Sequence, residues 1–200
     1  FVYNGKTYSE FVGTELKFIS DEEGGIWDYR DYDRYWVQDA LYNFLAYYPT
    51  KALKNQVTTV DANSLSVSYD TQALQEDLLV AYRQIDTKEW NLNQPVPLQM
   101  NHALAAVKFK VKSEDGRTMT LKSLSLSGLY TKGDFVYQSK STPAVTDWKN
   151  HSGNTASYDW TGTLTFGGTA ADVTGYTGAS PLTQYAEDGF ILVIPQQNCT

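Results

Sequence analysis

The stretch Leu104-Ala-Ala-Val-Lys-Phe-Lys-Val111 decides how this chain folds. Val107, Phe109 and Val111 alternate with Lys108, Lys110 and Lys112. A two-residue period gives a strand one buried face and one wet face. The period returns at Leu65-Ser-Val-Ser-Tyr69. It returns again at Leu121–Ser127, where Leu124 and Leu126 face one way and Ser123, Ser125 and Ser127 the other. No long helical segment lies between these stretches. The pattern predicts an all-β, antiparallel sandwich whose function lies in its surfaces and strand edges.

Working outward, Leu41-Tyr-Asn-Phe-Leu-Ala-Tyr-Tyr48 runs into Pro49 and reads as a central strand stopped by the proline. Leu78–Tyr82 and Phe190-Ile-Leu-Val-Ile194 read as buried strands, the second ended by Pro195. Leu16–Ile19, Phe135–Tyr137 and Trp160–Phe166 add further strands. Gln72–Asp77 reads as a helical turn, residues 83–97 as a polar connection, and Ser139–Ser157 as a long polar loop holding Trp148. The core strands are expected to rest on Val107, Phe109 and Val111 with Phe190, Leu192 and Ile194. The charged turn Ser113-Glu-Asp-Gly-Arg117 suggests a boundary, giving domains at 1–115 and 116–200.

Composition supports strands. The 200 residues are 42% hydrophobic and include 15 Tyr and 8 Phe against 2 Met, which favours pleated over helical structure. The net charge of -7, with lysines spread along the chain, lacks the basic footprint of a nucleic-acid binder. The one cysteine, Cys199, cannot form an internal disulfide, a usage that fits an exported bacterial protein better than a small disulfide-stapled one. No run approaches the roughly 20 apolar residues of a membrane span. The start, Phe1-Val-Tyr-Asn-Gly5, has neither a basic nor an apolar leader and reads as a mature or trimmed end.

No catalytic constellation is legible. His102 and His151 are the two histidines, and no Gly-x-Ser-x-Gly elbow accompanies them. Asp28, Asp31 and Asp33 cluster beside Trp27 and Trp36, but the bend glycine and distal glutamate of a calcium loop are missing. Arg30 and Arg34 between them favour surface ion pairing instead. Of Trp27, Trp36, Trp90, Trp148 and Trp160, most are expected to pack. Exposed Trp27, Trp36 or Trp148 would suit the rival reading, a carbohydrate-binding surface protein. The expectation is no enzyme, no catalytic residue, no metal and no cofactor.

Several segments taken in order resemble the fimbrillin (Mfa-like) family of Bacteroidetes. Trp27…Tyr35-Trp36, Leu41–Pro49 and Asp77-Leu-Leu-Val-Ala81 are similar to its amino-terminal half. Val96-Pro-Leu-Gln-Met-Asn-His-Ala-Leu-Ala-Ala-Val-Lys-Phe-Lys-Val111 resembles its His-Ala-Leu strand. Leu121–Gly128 and Ile191-Leu-Val-Ile-Pro-Gln196 match later landmarks. The resemblance implies two transthyretin-like sandwiches, the second incomplete in itself or completed by strands beyond residue 200. It implies a stalk, tip or anchor subunit of a cell-surface fimbria. Such a subunit would be an outer-membrane lipoprotein whose anchoring cysteine is not among these residues. Its implied partners are other pilus subunits, joined by strand addition, and a host protein or glycan met in adhesion.

Overall fold

The computed structural model describes residues 1–11, 13–19, 25–29, 33–50, 57–61, 64–138, 145–152, 156–175 and 189–196. Seventeen strands lie among them. The first five are β1 (Val2–Tyr3), β2 (Lys6–Thr7), β3 (Lys17–Ile19), β4 (Ile26–Asp28) and β5 (Leu41–Tyr48). The next six are β6 (Val57–Asp61), β7 (Ser64–Asp70), β8 (Leu79–Asp86), β9 (Asn101–His102), β10 (Ala105–Lys108) and β11 (Lys110–Val111). The last six are β12 (Met119–Leu129), β13 (Lys132–Gln138), β14 (Val145–Ser152), β15 (Ala156–Phe166), β16 (Ala171–Asp172) and β17 (Phe190–Val193). The fold is all-β, and its pairings are antiparallel.

The residues group into two compact units, Phe1–Ala46 with Ala81–Gln99, and Tyr47–Val80 with Met100–Thr200. The turn at Ser113–Arg117 lies inside the second unit, where it leads from β11 to β12.

In the first unit the strand order is β2-β1-β5-β8. Asn4 and Gly5 both take positive φ, 48° and 73°, in the two-residue turn between β1 and β2. That is the turn chemistry an Asn-Gly pair supplies. Ala40, Tyr42 and Ile85 form the buried centre, with Phe1, Trp36 and Phe44 packed on it. Trp36 meets Tyr42 edge-on at 4.8 Å, so it is packing rather than an open platform. Thr87 stitches the loop before β5: its Oγ1 accepts from the Ala40 amide at 2.9 Å and lies 3.0 Å from the Val37 carbonyl. The hairpin β3–β4 pairs Phe18 with Trp27. Trp27 is 66% exposed.

The second unit contains two hydrophobic cores. The first sits on the four-stranded sheet β14-β13-β7-β6. Alternation puts Leu65, Val67 and Tyr69 of β7 and Phe135 of β13 on one face, against Leu78, Val80, Ala103 and Leu104. The stretch expected to be a polar loop, Ser139–Ser157, instead contains strand β14. Trp148 of β14 pairs with Phe135 and is buried in this core. One large side chain on a strand with polar neighbours is enough to dock it, because the facing layer supplies the remaining apolar contact.

The second core gathers Leu129, Tyr158, Trp160, Val173, Ile191 and Val193. Strand β17 divides the two cores: Leu192 and Ile194 enter the first, Ile191 and Val193 the second. Its unbroken apolar run is explained by burial on both faces.

Some readings need correction or refinement. The decisive stretch 104–111 is two short strands broken at Phe109, with β10 pairing β17 and β11 pairing β16. Lys108 stands on the face opposite the core as the alternation predicts, but it is only partly wet: its Nζ lies 2.9 Å from Asp172 Oδ2 and 5.1 Å from the centre of the Phe190 ring. A lysine stem can cover apolar surface while its head finds a carboxylate. Gln72–Asp77 starts in one helical-type turn, closed by the Leu74 amide donating to the Asp70 carbonyl at 2.9 Å, and is irregular beyond it, while β8 runs on to Asp86 through part of the expected connector.

Strand β13 also carries a carboxylate, Asp134, which accepts from Asn150 Nδ2 at 2.8 Å and from Ser68 Oγ at 2.5 Å. These bonds, Asn150 first, hold its carboxyl below the usual range. A depressed folded pKa contributes stability above the unfolded value and loses it as pH falls through the folded one. Melting temperature should therefore fall as pH drops below about 4, and Asp134→Asn should flatten that slope in scanning calorimetry. An identical slope in the variant would remove Asp134 from the account.

Candidate strand-acceptor surface

The second core is walled by two-stranded ladders. Strand β12 pairs with β15 over eleven-residue strands, β10 with β17, and β11 with β16. Two strands alone are marginal in water, and a sheet usually needs a third strand or a packed layer. The ladders have that layer, since Leu121, Leu124 and Leu126 of β12 and Leu164 of β15 pack against the core from one side. Val107, Phe109 and Val111 also pack on it. All seven are only partly buried. Both cores also hold completely buried side chains, Val67 and Leu78 in the first and Tyr158 and Val173 in the second.

Local sequence builds this surface. Ser123, Ser125 and Ser127 are exposed as the alternation predicts. The ladder register shifts between Leu121 and Ser123, which coincides with the three-residue step that puts Leu121 on the same face as Leu124. Across the ladder, Ser125 Oγ donates to Asp159 Oδ1 at 2.6 Å, and along β15 itself Ser157 Oγ donates to Oδ2 at 2.8 Å. These bonds keep the Asp159 carboxyl low in pKa and fix the polar face outward. Within their sheets, β12 and β15 each bond only to one another among the described strands. An eleven-residue edge with half-covered leucines behind it is suited to pairing with another extended chain.

One edge in this unit is closed from inside the fold. Gln75 is fully buried, and its amide pairs with the backbone of Leu192 in β17. The Leu192 amide donates to Oε1 at 2.9 Å, and Nε2 donates to the Leu192 carbonyl at 3.0 Å. Nε2 also donates to the Thr71 carbonyl at 2.6 Å. Beside it, the Tyr158 hydroxyl donates to Thr71 Oγ1 at 2.8 Å, and the Thr71 amide donates to the Thr131 carbonyl at 2.9 Å. Burial pushes the Tyr158 phenol up in pKa. Gln75 thus takes the place of a neighbouring strand. A polar residue in Ala73-Leu-Gln-Glu-Asp77 gave no sequence signal of this.

The other residues singled out from the sequence fall as follows. His102 and His151 line one groove with Trp148. His102 Nδ1 bonds to Asp77 Oδ2. Trp148 donates its Nε1–H to the Ala103 carbonyl at 2.9 Å, and Trp160 is buried. Asp31, Arg30 and Cys199 lie outside the described residues. Arg34 stacks over Phe11 at 4.3 Å and Tyr29 at 4.7 Å. Among the described residues no three His, Cys, Asp or Glu side chains group as metal ligands. Nor, among them, is any helix long and apolar enough to cross a membrane.

The fimbrillin-like family model matches residues 1–200, and the chain belongs to that family. Membership implies a cell-surface fimbrial protein that assembles with other pilus subunits. Neither the curated proteins nor the solved structures contain a match to this chain.

Proposed function

We propose that this chain is a structural subunit of a bacterial fimbria that receives a strand from a neighbouring subunit along the outer edges of the β12–β15 ladder. The observation that carries the reading is the second core, walled by two-stranded ladders, with leucines on β12 and β15 left half-covered. An incoming strand would hydrogen-bond to an edge and set alternate side chains over those leucines. A transthyretin-like sandwich closed by that strand is the arrangement this reading calls for. Anchoring as an outer-membrane lipoprotein and a part in adhesion belong to the same proposal, on the strength of family membership.

Hydrogen exchange read by mass spectrometry tests it. The free chain is compared with the chain inside fimbriae isolated from the producing cells. Amides of β12 and β15 should exchange at least about tenfold more slowly in the fibre, since pairing converts open edge groups into bonded ones. Fibres that contain the chain with those amides unchanged would refute strand reception there. Fibres that lack the chain would refute the subunit role itself.

A further inference from the structure

Apart from the ladders, the second unit carries a groove of about 910 Å³. Its floor is made by Val80, Ala103, Phe135 and Trp148, none more than 9% exposed. The floor is therefore sealed core, without the open apolar slots that an inserted strand would fill. Its walls and mouth carry His102, Tyr130, Tyr137, Asp147, His151 and Gln196. We propose that this groove binds a short, uncharged oligosaccharide.

A sugar ring has an apolar C–H face and a girdle of hydroxyls. The walls offer the matching chemistry, with phenol and imidazole rings for the face and a carboxylate and an amide for the hydroxyls. The size fits as well, since it lies toward the upper end of the range that holds small ligands. Tyr130 is 45% exposed at the mouth, and its backbone is pinned by Gln196: Oε1 accepts from the Tyr130 amide at 3.1 Å, and Nε2 donates to its carbonyl at 3.2 Å. The backbone that carries the ring is thus fixed before any ligand arrives, which lowers part of the ordering cost of binding.

The histidines add direction. His102 has its Nδ1 engaged by Asp77, whose side chain is 5% exposed, while its own side chain is 73% exposed. With Nδ1 engaged by the carboxylate, Nε2 is the ring nitrogen left to meet a hydroxyl. His151 Nε2 is buried without a hydrogen-bond partner among the described residues, and the Tyr130 ring lies 6.2 Å from its ring. Charge selects against acidic sugars, because Asp147 is on the wall and the whole chain carries -7.

The test is a glycan array probed with the intact chain, carrying both neutral and sialylated oligosaccharides. Titration calorimetry with a retained neutral sugar follows. A neutral sugar should be retained and sialylated ones not. Tyr130→Ala and His102→Ala should each weaken binding at least tenfold, with folding checked by circular dichroism, while Trp27→Ala should bind as the parent does. Tyr130→Phe keeps the ring and should bind within about threefold, because stacking rather than the hydroxyl carries that contact. Retention of acidic sugars alone, of no sugar at all, or loss of binding in Trp27→Ala but not Tyr130→Ala would each overturn the proposal. So would displacement of the sugar by an extended apolar peptide. Fibre formation is a separate readout, so failure here leaves strand reception to be judged by exchange.

Discussion

Replacing Gln75 with leucine should destabilise the chain by about 3–5 kcal/mol, from two to three orphaned backbone groups at roughly 1–3 kcal/mol each. Leucine keeps the approximate volume and loses every polar contact. The Leu192 amide and carbonyl lose the partners at 2.9 and 3.0 Å, and the Thr71 carbonyl loses the one at 2.6 Å. Leu192 is buried, so water cannot stand in without opening the core. Urea unfolding followed by tryptophan fluorescence should show a lower midpoint at an unchanged slope. A loss under about 1 kcal/mol would mean that this edge is not sealed by the glutamine. Gln75→Glu should lose at least as much as the leucine variant, since it keeps the acceptor for the Leu192 amide but sets a buried carboxylate oxygen against the two carbonyl oxygens that the amide served.

Truncating Trp148 should cost a similar amount. Trp148→Ala removes a large buried ring and should lose about 3–5 kcal/mol. The ring lies edge-on to Phe135 at 5.4 Å. It also covers Gly133 so closely that a Cβ there would meet Trp148 Cε3 at 3.1 Å. Trp148→Phe should cost less, about 1–3 kcal/mol, because most of the apolar area survives while the Ala103 carbonyl loses its Nε1–H donor. Thermal melting of both variants separates the two terms. A Trp148→Ala protein as stable as the parent would return Trp148 to the role of an exposed platform.

Much of the fold was legible because a period of two survives in single strands. Leu65, Val67 and Tyr69 face inward as their spacing demands, and the apolar run at Phe190–Ile194 marks the strand shared by both cores. Strand β14 was hidden because it sends chiefly Trp148 into the core from among Asp147, Lys149 and Asn150, too few apolar residues to show a period. The break at Phe109 was hidden for another reason: alternation continues across it, and only a change of partner strand interrupts the ladder. The groove could not be read at all. His102 and His151 lie on separate strands, and only the packing of β9 and β14 around Trp148 brings them to one cavity. Gln75 was equally silent, since a buried amide that imitates backbone looks in sequence like any solvated glutamine.

The position of β17 bears on how such a subunit would meet tension. Both compartments of the second unit share this one wall, so neither can be emptied while its neighbour stays dry. Pulling β17 free would flood the two together, and the subunit should yield in a single abrupt rip rather than stretch by stages. For a molecule exposed to flowing liquid, that makes four residues, Phe190 to Val193, the mechanical fuse.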